Sequence, residues 1–293
     1  MKKSGVIFFI SLFLLAGCSN TASTDNSSTN SQKQYIENKG SDTLVNLALA
    51  WAEAYQELYP EVQISVSGGG SGTGITALIN GTVDIANASR SIKEEEIAQA
   101  QANDIDPYEI VVANDAIAVI VNPDNPVDHL TIEQVSQIYQ GLITNWGEVG
   151  GEDRPIVCLS RETNSGTHVY FLETVVRMGD ANSDSLFSAE TLLLPSSEGI
   201  IAEVRDNPNA IGYDGLGYVT DDVKVVALDN GEGYILPSAE TVNDKSYPIA
   251  RQLYMYTNGE PQGVVKEYID WIRSSDAQQY VLDLGFIPYN QGE

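Results

Sequence analysis

The chain has 293 residues and a formal net charge of −26, from 41 acidic and 15 basic residues. A field of that sign excludes nucleic acid and anionic membrane surfaces as binding partners, because both are negatively charged themselves. With two histidines and two cysteines, the sequence also offers no cluster of metal ligands, and no cofactor is expected.

The first 17 residues are predicted to be a signal peptide. Lys2 and Lys3 precede an apolar run over 6–15 that is too short to span a bilayer as a stable helix. The run leads into Leu15-Ala-Gly-Cys18, which resembles the bacterial lipoprotein signal, where the cysteine is lipidated and becomes the mature N-terminus. A plain secretory signal with an incidental cysteine is the alternative. Residues 18–34, rich in Ser, Thr and Asn, are predicted to form a disordered tether.

About 260 residues remain, enough for two α/β domains with cores of their own. Up to residue 121 the pattern alternates between strand and helix periods. It predicts helices over 44–58 and 93–102, a helix that begins near Ile75 and stops at Gly81, and strands over 63–67, 83–86, 108–113 and 116–121. Such alternation is typical of a mainly parallel sheet with ligands at the carboxyl ends of its strands.

The second part of the chain continues the alternation. Thr131-Ile-Glu-Gln134 is a capping box that starts a short helix ending at Gly141. Further elements are predicted as helices over 171–176, 198–206, 263–273 and 277–284, and as strands over 156–160, 210–213, 223–228 and 249–256.

A glycine-rich stretch, Ser67-Gly-Gly-Gly-Ser-Gly-Thr-Gly-Ile-Thr76, connects a predicted strand to a predicted helix. Backbone N–H groups at such a turn lie at the positive end of the helix dipole, which suits an anion. It is not a P-loop, because no Gly-Lys-Ser/Thr follows, and an ordinary flexible loop is the alternative. The anion interpretation is favoured by a second stretch of the same kind, Arg161-Glu-Thr-Asn-Ser-Gly-Thr167.

Four motifs occur in order along the chain: Gly40-Ser-Asp-Thr43, Gly68-Gly-Gly-Ser-Gly-Thr-Gly74, Val83-Asp-Ile-Ala-Asn-Ala-Ser-Arg90 and Arg161-x-x-x-Ser-Gly-Thr167. With the lipoprotein signal and Asn145-Trp146, they make residues 35–290 resemble the phosphate-binding lipoproteins of bacterial high-affinity phosphate ABC transporters. The resemblance implies an α/β, type II periplasmic-binding-protein fold with two domains around a ligand cleft. Residues 35–117 and 250–293 would form the first domain and 118–249 the second, with two crossings at 117–121 and 249–256.

The resemblance also implies a function. The protein would be a monomeric solute-binding protein, not an enzyme, anchored by lipid to the outer side of the cell membrane. It would capture inorganic phosphate and deliver it to the permease subunits of an ABC transporter. The implied phosphate contacts come from both domains: Ser41, Asp42, Thr43, Gly70, Ser71, Gly72, Thr73, Ser89 and Arg90 from the first, and Arg161, Ser165, Gly166 and Thr167 from the second.

Arg161 would supply a bidentate fork for two phosphate oxygens, the alternative being a surface ion pair with Glu162 or Asp153. One position departs from the family. Its best-known members carry an aspartate that accepts the proton of hydrogen phosphate and so rejects sulfate, whereas this chain has Ser89 there, followed by Arg90. Asp42 is the candidate replacement acceptor; pairing with Arg90 or capping its helix are the alternatives.

Two other functions are open on the sequence alone. A related receptor would bind sulfate or molybdate instead of phosphate. A serine hydrolase would use Ser71 or Ser165 as its nucleophile, but that nucleophile needs a positioned base. The chain has only His129 and His168 for this purpose, and no Gly-x-Ser-x-Gly elbow is followed by an Asp and a His in order.

Overall fold

The computed structural model describes residues 33–289. The predicted signal peptide, the lipidated Cys18 and the tether up to residue 32 lie outside this range. Within it, no helix combines the length and the apolar character that crossing a bilayer requires.

Thirteen strands are found between residues 33 and 289: β1 Gln34–Gly40, β2 Val62–Ser67, β3 Ile85–Ala88, β4 Pro107–Val121, β5 His129–Leu130, β6 Val157–Arg161, β7 Leu192–Leu194, β8 Ala210–Gly215, β9 Lys224–Val225, β10 Ala227–Asp229, β11 Tyr234–Ile235, β12 Ala250–Asn258 and β13 Ile287–Pro288. The α-helices of the same range are α1 Asp42–Leu58, α2 Ser71–Ile79, α3 Glu94–Ala102, α4 Ile132–Tyr139, α5 Gly166–Phe171, α6 Ser197–Asp206, α7 Ala239–Asn243, α8 Gly263–Ile272 and α9 Ser275–Asp283. A π-helical turn, Leu172–Val176, continues α5.

Ten strands form one mixed sheet in the order β2-β1-β3-β12-β4-β8-β6-β7, with β9 and β13 paired to β4. Its two ends are parallel: β1 lies between β2 and β3, and β6 lies between β7 and β8. Its centre is antiparallel, because β12 and β4 run side by side in opposite directions. The predicted parallel arrangement is therefore correct for the two ends of the sheet, where strand–helix units repeat. It is wrong for the centre of the sheet, where β4 and β12 connect the two ends.

Strand β4 links the two ends of the sheet. Its first part pairs with β12, from Ala250↔Ala116 to Asn258↔Pro107, and its last five residues pair with β8. The prediction of two separate strands was wrong, because Asn114 and Asp115 interrupt an apolar run without ending the strand. The exchange of partners falls at the predicted first crossing, and the division into domains at these residues stays a prediction.

Two large clusters of buried apolar side chains support the sheet: one runs from α1 and β1 to α6 and so spans both ends of the sheet, and the other is built around α4, α5 and β8. Trp51 of α1 is fully buried in one of them and donates its indole N–H to the carbonyl of Ala277, 2.9 Å away. In the other, Tyr139, Phe171 and Tyr213 pack ring against ring. Burying one such aromatic side chain contributes about 1.5–3 kcal/mol. Each core therefore holds its helices firmly in place, so that the start of each helix has a fixed position.

Candidate functional site

Three helices begin directly after strands, at one region of the structure. Helix α1 follows β1, α2 follows the glycine-rich turn after β2, and α5 follows β6. The first N–H groups of a helix have no partner within the helix and carry partial positive charge. The glycine-rich turn allows a close approach here: Gly70 has a φ of +89°, and a Cβ at this position would lie 2.8 Å from the carbonyl oxygen of Asn164. The geometry suits an anion held between helix starts.

Hydroxyl groups from α1 and α5 meet at this point. Thr43 Oγ1 lies 2.9 Å from Thr167 Oγ1, and both residues are almost fully buried. Nearby, Ser71 Oγ accepts a hydrogen bond from the backbone N–H of Ser89 at 3.0 Å and lies 3.3 Å from Ser89 Oγ. The Cα of Gly166 faces these two serines. The structure thus brings together five of the predicted site residues. Four of them carry hydroxyl groups and the fifth, Gly166, lies against two of these, and we call the set the hydroxyl cluster (Thr43, Ser71, Ser89, Gly166 and Thr167).

The remaining residues of the two predicted loops have other partners. The N–H of Gly72 donates to the carbonyl of Asn164 at 3.0 Å, and Asn164 Nδ2 donates to the carbonyl of Gly69 at 2.9 Å. Thr73, half-buried, donates its hydroxyl to the same Gly69 carbonyl. The two loops therefore hold each other directly, and the hydroxyl of Thr73 is used within this contact.

Ser165 is the N-cap of α5. Its Oγ accepts from the backbone N–H groups of Thr167 and His168, at 3.2 and 3.5 Å. The imidazole of His168 is directed elsewhere, because its Nδ1 lies 2.9 Å from Ser160 Oγ. Burial lowers the pKa of His168, which keeps the ring neutral at pH 7. The nucleophile–base pair that a serine hydrolase needs is therefore not formed by Ser165 and His168.

The main cation at the hydroxyl cluster, Arg251, was missed by the sequence interpretation. Its Nη2 donates to Thr167 Oγ1 at 3.0 Å and lies 3.3 Å from Thr43 Oγ1, and its Nη1 donates to the carbonyl of Ser89 at 2.9 Å. Arg251 is on β12 directly opposite Asp115 on β4, and its Nε and Nη2 donate to Asp115 Oδ2 at 3.1 and 2.8 Å. A signal was present: Arg251 is the one charged residue in the predicted crossing at 249–256, and Asp115 lies two residues before the other predicted crossing, 117–121.

Arg161 is also almost fully buried, and it contacts Asp42, the residue before Thr43. Its Nη1 donates to Ser197 Oγ at 2.6 Å and lies 3.5 Å from Asp214 Oδ2. Its Nη2 donates to Asp42 Oδ2 at 2.8 Å. The surface ion pair with Glu162 or Asp153, which was the alternative for Arg161, is therefore not what the structure shows. Arg161 instead belongs to a buried network that connects α1 to α6 and β8.

Asp42 neither caps α1 nor pairs with Arg90. Its Oδ1 accepts from the N–H of Gly69 at 2.8 Å, and its Oδ2 accepts from Arg161. Ser41 is the N-cap of α1 but makes no side-chain capping bond, and its buried Oγ has no hydrogen-bond partner among the described residues. Arg90 is turned away from the hydroxyl cluster, because it forms two hydrogen bonds to the carboxylate of Glu96 at 2.8 and 2.7 Å.

Two guanidinium groups and two fully buried carboxyl groups give this region its electrostatic character. Burial raises the pKa of Asp115 and of Asp214, and the charges of Arg251 and Arg161 partly offset that effect. Within residues 33–289 no group of three or more His, Cys, Asp or Glu side chains is placed to hold a metal ion. The site therefore offers hydroxyl, backbone and guanidinium donors to a ligand with oxygen acceptors.

Comparisons with known proteins agree with this chemistry. Residues 25–276 match a family described as a PBP superfamily domain. The chain is 34% identical over 272 residues to the phosphate-binding protein PstS of Pseudomonas aeruginosa, covering 86% of this chain and 82% of that protein. It is 33% identical over 299 residues to the phosphate-binding protein PstS of Bacillus subtilis, covering 98% and 95%.

Solved structures show the same relationship. One neighbour is a candidate phosphate ABC transporter substrate-binding protein from Clostridium perfringens, determined with bound phosphate. It superposes with a TM-score of 0.79 at 34% identity, covering 88% of this chain and all of that chain. The family match over residues 25–276 includes all three helix starts.

Proposed function

Because the chain belongs to the PBP superfamily, in the branch whose matched relatives are phosphate-binding proteins, we propose that it is the extracytoplasmic phosphate receptor of an ABC transporter. In this role it captures inorganic phosphate and delivers it to the permease subunits, without catalysing a reaction.

The observation that carries this proposal is the meeting of Thr43, Thr167 and Arg251. Two hydroxyls and one guanidinium nitrogen lie within 3.3 Å of one another, from three separate elements. A phosphate oxygen that enters between them accepts hydrogen bonds from all three, and its charge is matched by a cation held in place by Asp115. Hydrogen bonds to charged groups contribute about 1.5–3 kcal/mol each.

Donors from both parts of the sheet point to enclosure of the ligand. Thr43, Ser71 and Ser89 belong to the part before the first predicted crossing, and Gly166 and Thr167 to the part between the crossings. We place the domains at 35–117 with 250–293 and at 118–249, so that the cleft between them closes on phosphate. In our assignment Arg161 supports the closed cleft through Asp42, and Arg251 contacts the ligand.

We further propose that the mature protein begins at a lipidated Cys18 and is held at the outer side of the cell membrane by residues 18–34. A receptor anchored in this way stays close to its permease while the domain remains free to take up phosphate as a monomer. The support is the sequence Leu15-Ala-Gly-Cys18 and the composition of the tether.

The test is calorimetric titration of the mature domain with phosphate, sulfate and molybdate, beside an assay for hydrolysis of a simple ester. Saturable binding of one phosphate per chain without ester hydrolysis is expected. Tighter binding of sulfate or molybdate would make the protein a receptor for that anion, and turnover of the ester abolished by Ser71→Ala or Ser165→Ala would make it a hydrolase.

A further inference from the structure

Asn164 lies in the loop between β6 and α5, at a position that the anion motif of this loop leaves unspecified. It contacts the glycine-rich turn before α2 in two ways. Its carbonyl accepts a hydrogen bond from the N–H of Gly72 at 3.0 Å, and its Nδ2 donates to the carbonyl of Gly69 at 2.9 Å. The same Nδ2 lies 3.5 Å from Thr73 Oγ1. One residue therefore joins the two loops with both its main chain and its side chain.

The glycine-rich turn has the shape that this contact requires. A Cβ at Gly70 would lie 2.8 Å from the carbonyl oxygen of Asn164, and a Cβ at Gly72 would lie 3.3 Å from it. For Gly72, the three atoms nearest to such a Cβ all belong to Asn164. The N–H of Gly72, in the first turn of α2, donates to Asn164 and is therefore not left for a ligand. Two of the glycines that predict an anion loop from the sequence thus make room for the backbone of the opposite loop.

These contacts face the solvent, next to the hydroxyl cluster. Asn164 and Gly69 are exposed, whereas Ser71 and Gly166 of the hydroxyl cluster are buried. Ser71 directly precedes Gly72, and Gly166 is two residues after Asn164. Asn164 and Gly72 also line a surface cavity of about 580 Å³. The two loops are thus joined at the outer edge of the region in which the buried donors meet.

We propose that Asn164 is a clasp between the two domains, which holds the cleft closed over bound phosphate and limits the rate of phosphate release. The proposal rests on the function and the domain division proposed above, in which Asn164 and the glycine-rich turn belong to different domains. Asn164 is a positioning residue, because it acts through the two loops and makes no hydrogen bond to phosphate. Phosphate leaves after the loops separate, so breaking the clasp is part of the barrier to dissociation. Association begins from the open cleft, in which the clasp is not yet formed.

The experiment measures the dissociation rate constant of radiolabelled inorganic phosphate after rapid mixing with excess unlabelled phosphate. Calorimetry gives the dissociation constant, and the two values together give the association rate constant. Asn164→Ala removes the side-chain hydrogen bonds and keeps the carbonyl. Gly72→Ala keeps Asn164 and places a methyl group against its carbonyl, within a helix, where alanine is favoured over glycine. Asn182→Ala is the matched control, because Asn182 is an exposed asparagine whose Nδ2 donates to Asp180 Oδ1 within its own loop.

Asn164→Ala should raise the dissociation rate constant about two- to tenfold, which corresponds to the loss of one uncharged hydrogen bond between the loops. Gly72→Ala should also raise it, and neither variant should lower the association rate constant or the Tm measured without phosphate. Equal dissociation rate constants for Asn164→Ala and Asn182→Ala would overturn the clasp while leaving phosphate binding intact. A slower association with unchanged dissociation would also overturn it, because Asn164 would then act on entry. Wild-type protein that binds no phosphate would instead overturn the proposed function.

Discussion

Replacing Gly166 by alanine places a methyl group where the two sides of the cleft meet. A Cβ at this position would lie 2.4 Å from Ser71 Oγ, 2.5 Å from Ser89 Oγ and 3.1 Å from Ser71 Cβ. Ordinary contacts begin near 3.4 Å, so the two sides must separate by about 1 Å or the serine hydroxyls must turn away. Either response removes donors from the hydroxyl cluster.

The size of the effect follows from the cost of placing an extra methyl group in a packed site. Such overpacking costs about 1–3 kcal/mol. At 1.4 kcal/mol for each tenfold change in affinity, phosphate should bind about 5- to 150-fold more weakly. The free energy of unfolding should change little, because the domains can fold with the cleft open and alanine is favoured over glycine within a helix.

Calorimetric titration with phosphate and thermal unfolding measure the two quantities separately. Gly199→Ala is the matched control, because Gly199 lies in the first turn of α6 and a Cβ there meets Ser196 Oγ at an ordinary 3.4 Å. If Gly166→Ala binds phosphate as tightly as Gly199→Ala does, phosphate is not enclosed between Gly166 and these serines, and the reasoning fails.

Three further outcomes are expected. Arg251→Lys keeps the charge but cannot reach Asp115, Thr43 and Thr167 together, so phosphate affinity measured by calorimetry should fall by about 1.5–3 kcal/mol; unchanged affinity would remove Arg251 from the site. Asp42→Asn should weaken phosphate binding and permit sulfate binding with little change in Tm if Asp42 is the proton acceptor, whereas wild-type selectivity would assign discrimination to another residue. Burial lowers the pKa of His168 in the folded state. Below about pH 6.5 the unfolded state therefore binds a proton that the folded state does not, and the free energy of unfolding should decrease as the pH is lowered. The difference in Tm between wild type and His168→Gln, followed from pH 7.5 to 5.5, should narrow or reverse towards low pH. A constant difference would show that His168 is not the source of the pH dependence.

Local signals predicted most of the elements that position the site. The capping box at residue 131 is present, with Thr131 Oγ1 accepting from the N–H of Gln134 at 3.0 Å and Gln134 Oε1 accepting from the N–H of Thr131 at 2.9 Å. Both loops predicted to bind an anion lie at helix starts, because strand-turn-helix units are determined by nearby residues. The type II fold itself was predicted from four motifs in order, and the comparisons confirm it.

The sequence interpretation missed one contact that joins residues far apart in the chain and two local features. Asp115 and Arg251 are 136 positions apart, and only the pairing of β4 with β12 places them opposite each other. Arg90 was expected at the ligand, but the nearby Glu96 forms a bidentate pair with it. Strand β1 was missed since its buried positions include the polar Asn38, which breaks the apolar alternation.

The central claim is that phosphate binds between Thr43 of α1 and Thr167 of α5. A crystal structure of the mature domain with phosphate tests it most directly. The account predicts one phosphate with oxygen atoms about 2.6–3.2 Å from Thr43 Oγ1, Ser71 Oγ, Thr167 Oγ1 and a nitrogen of Arg251. Phosphate bound outside this cluster, with Thr43 and Thr167 still in contact with each other, would contradict it.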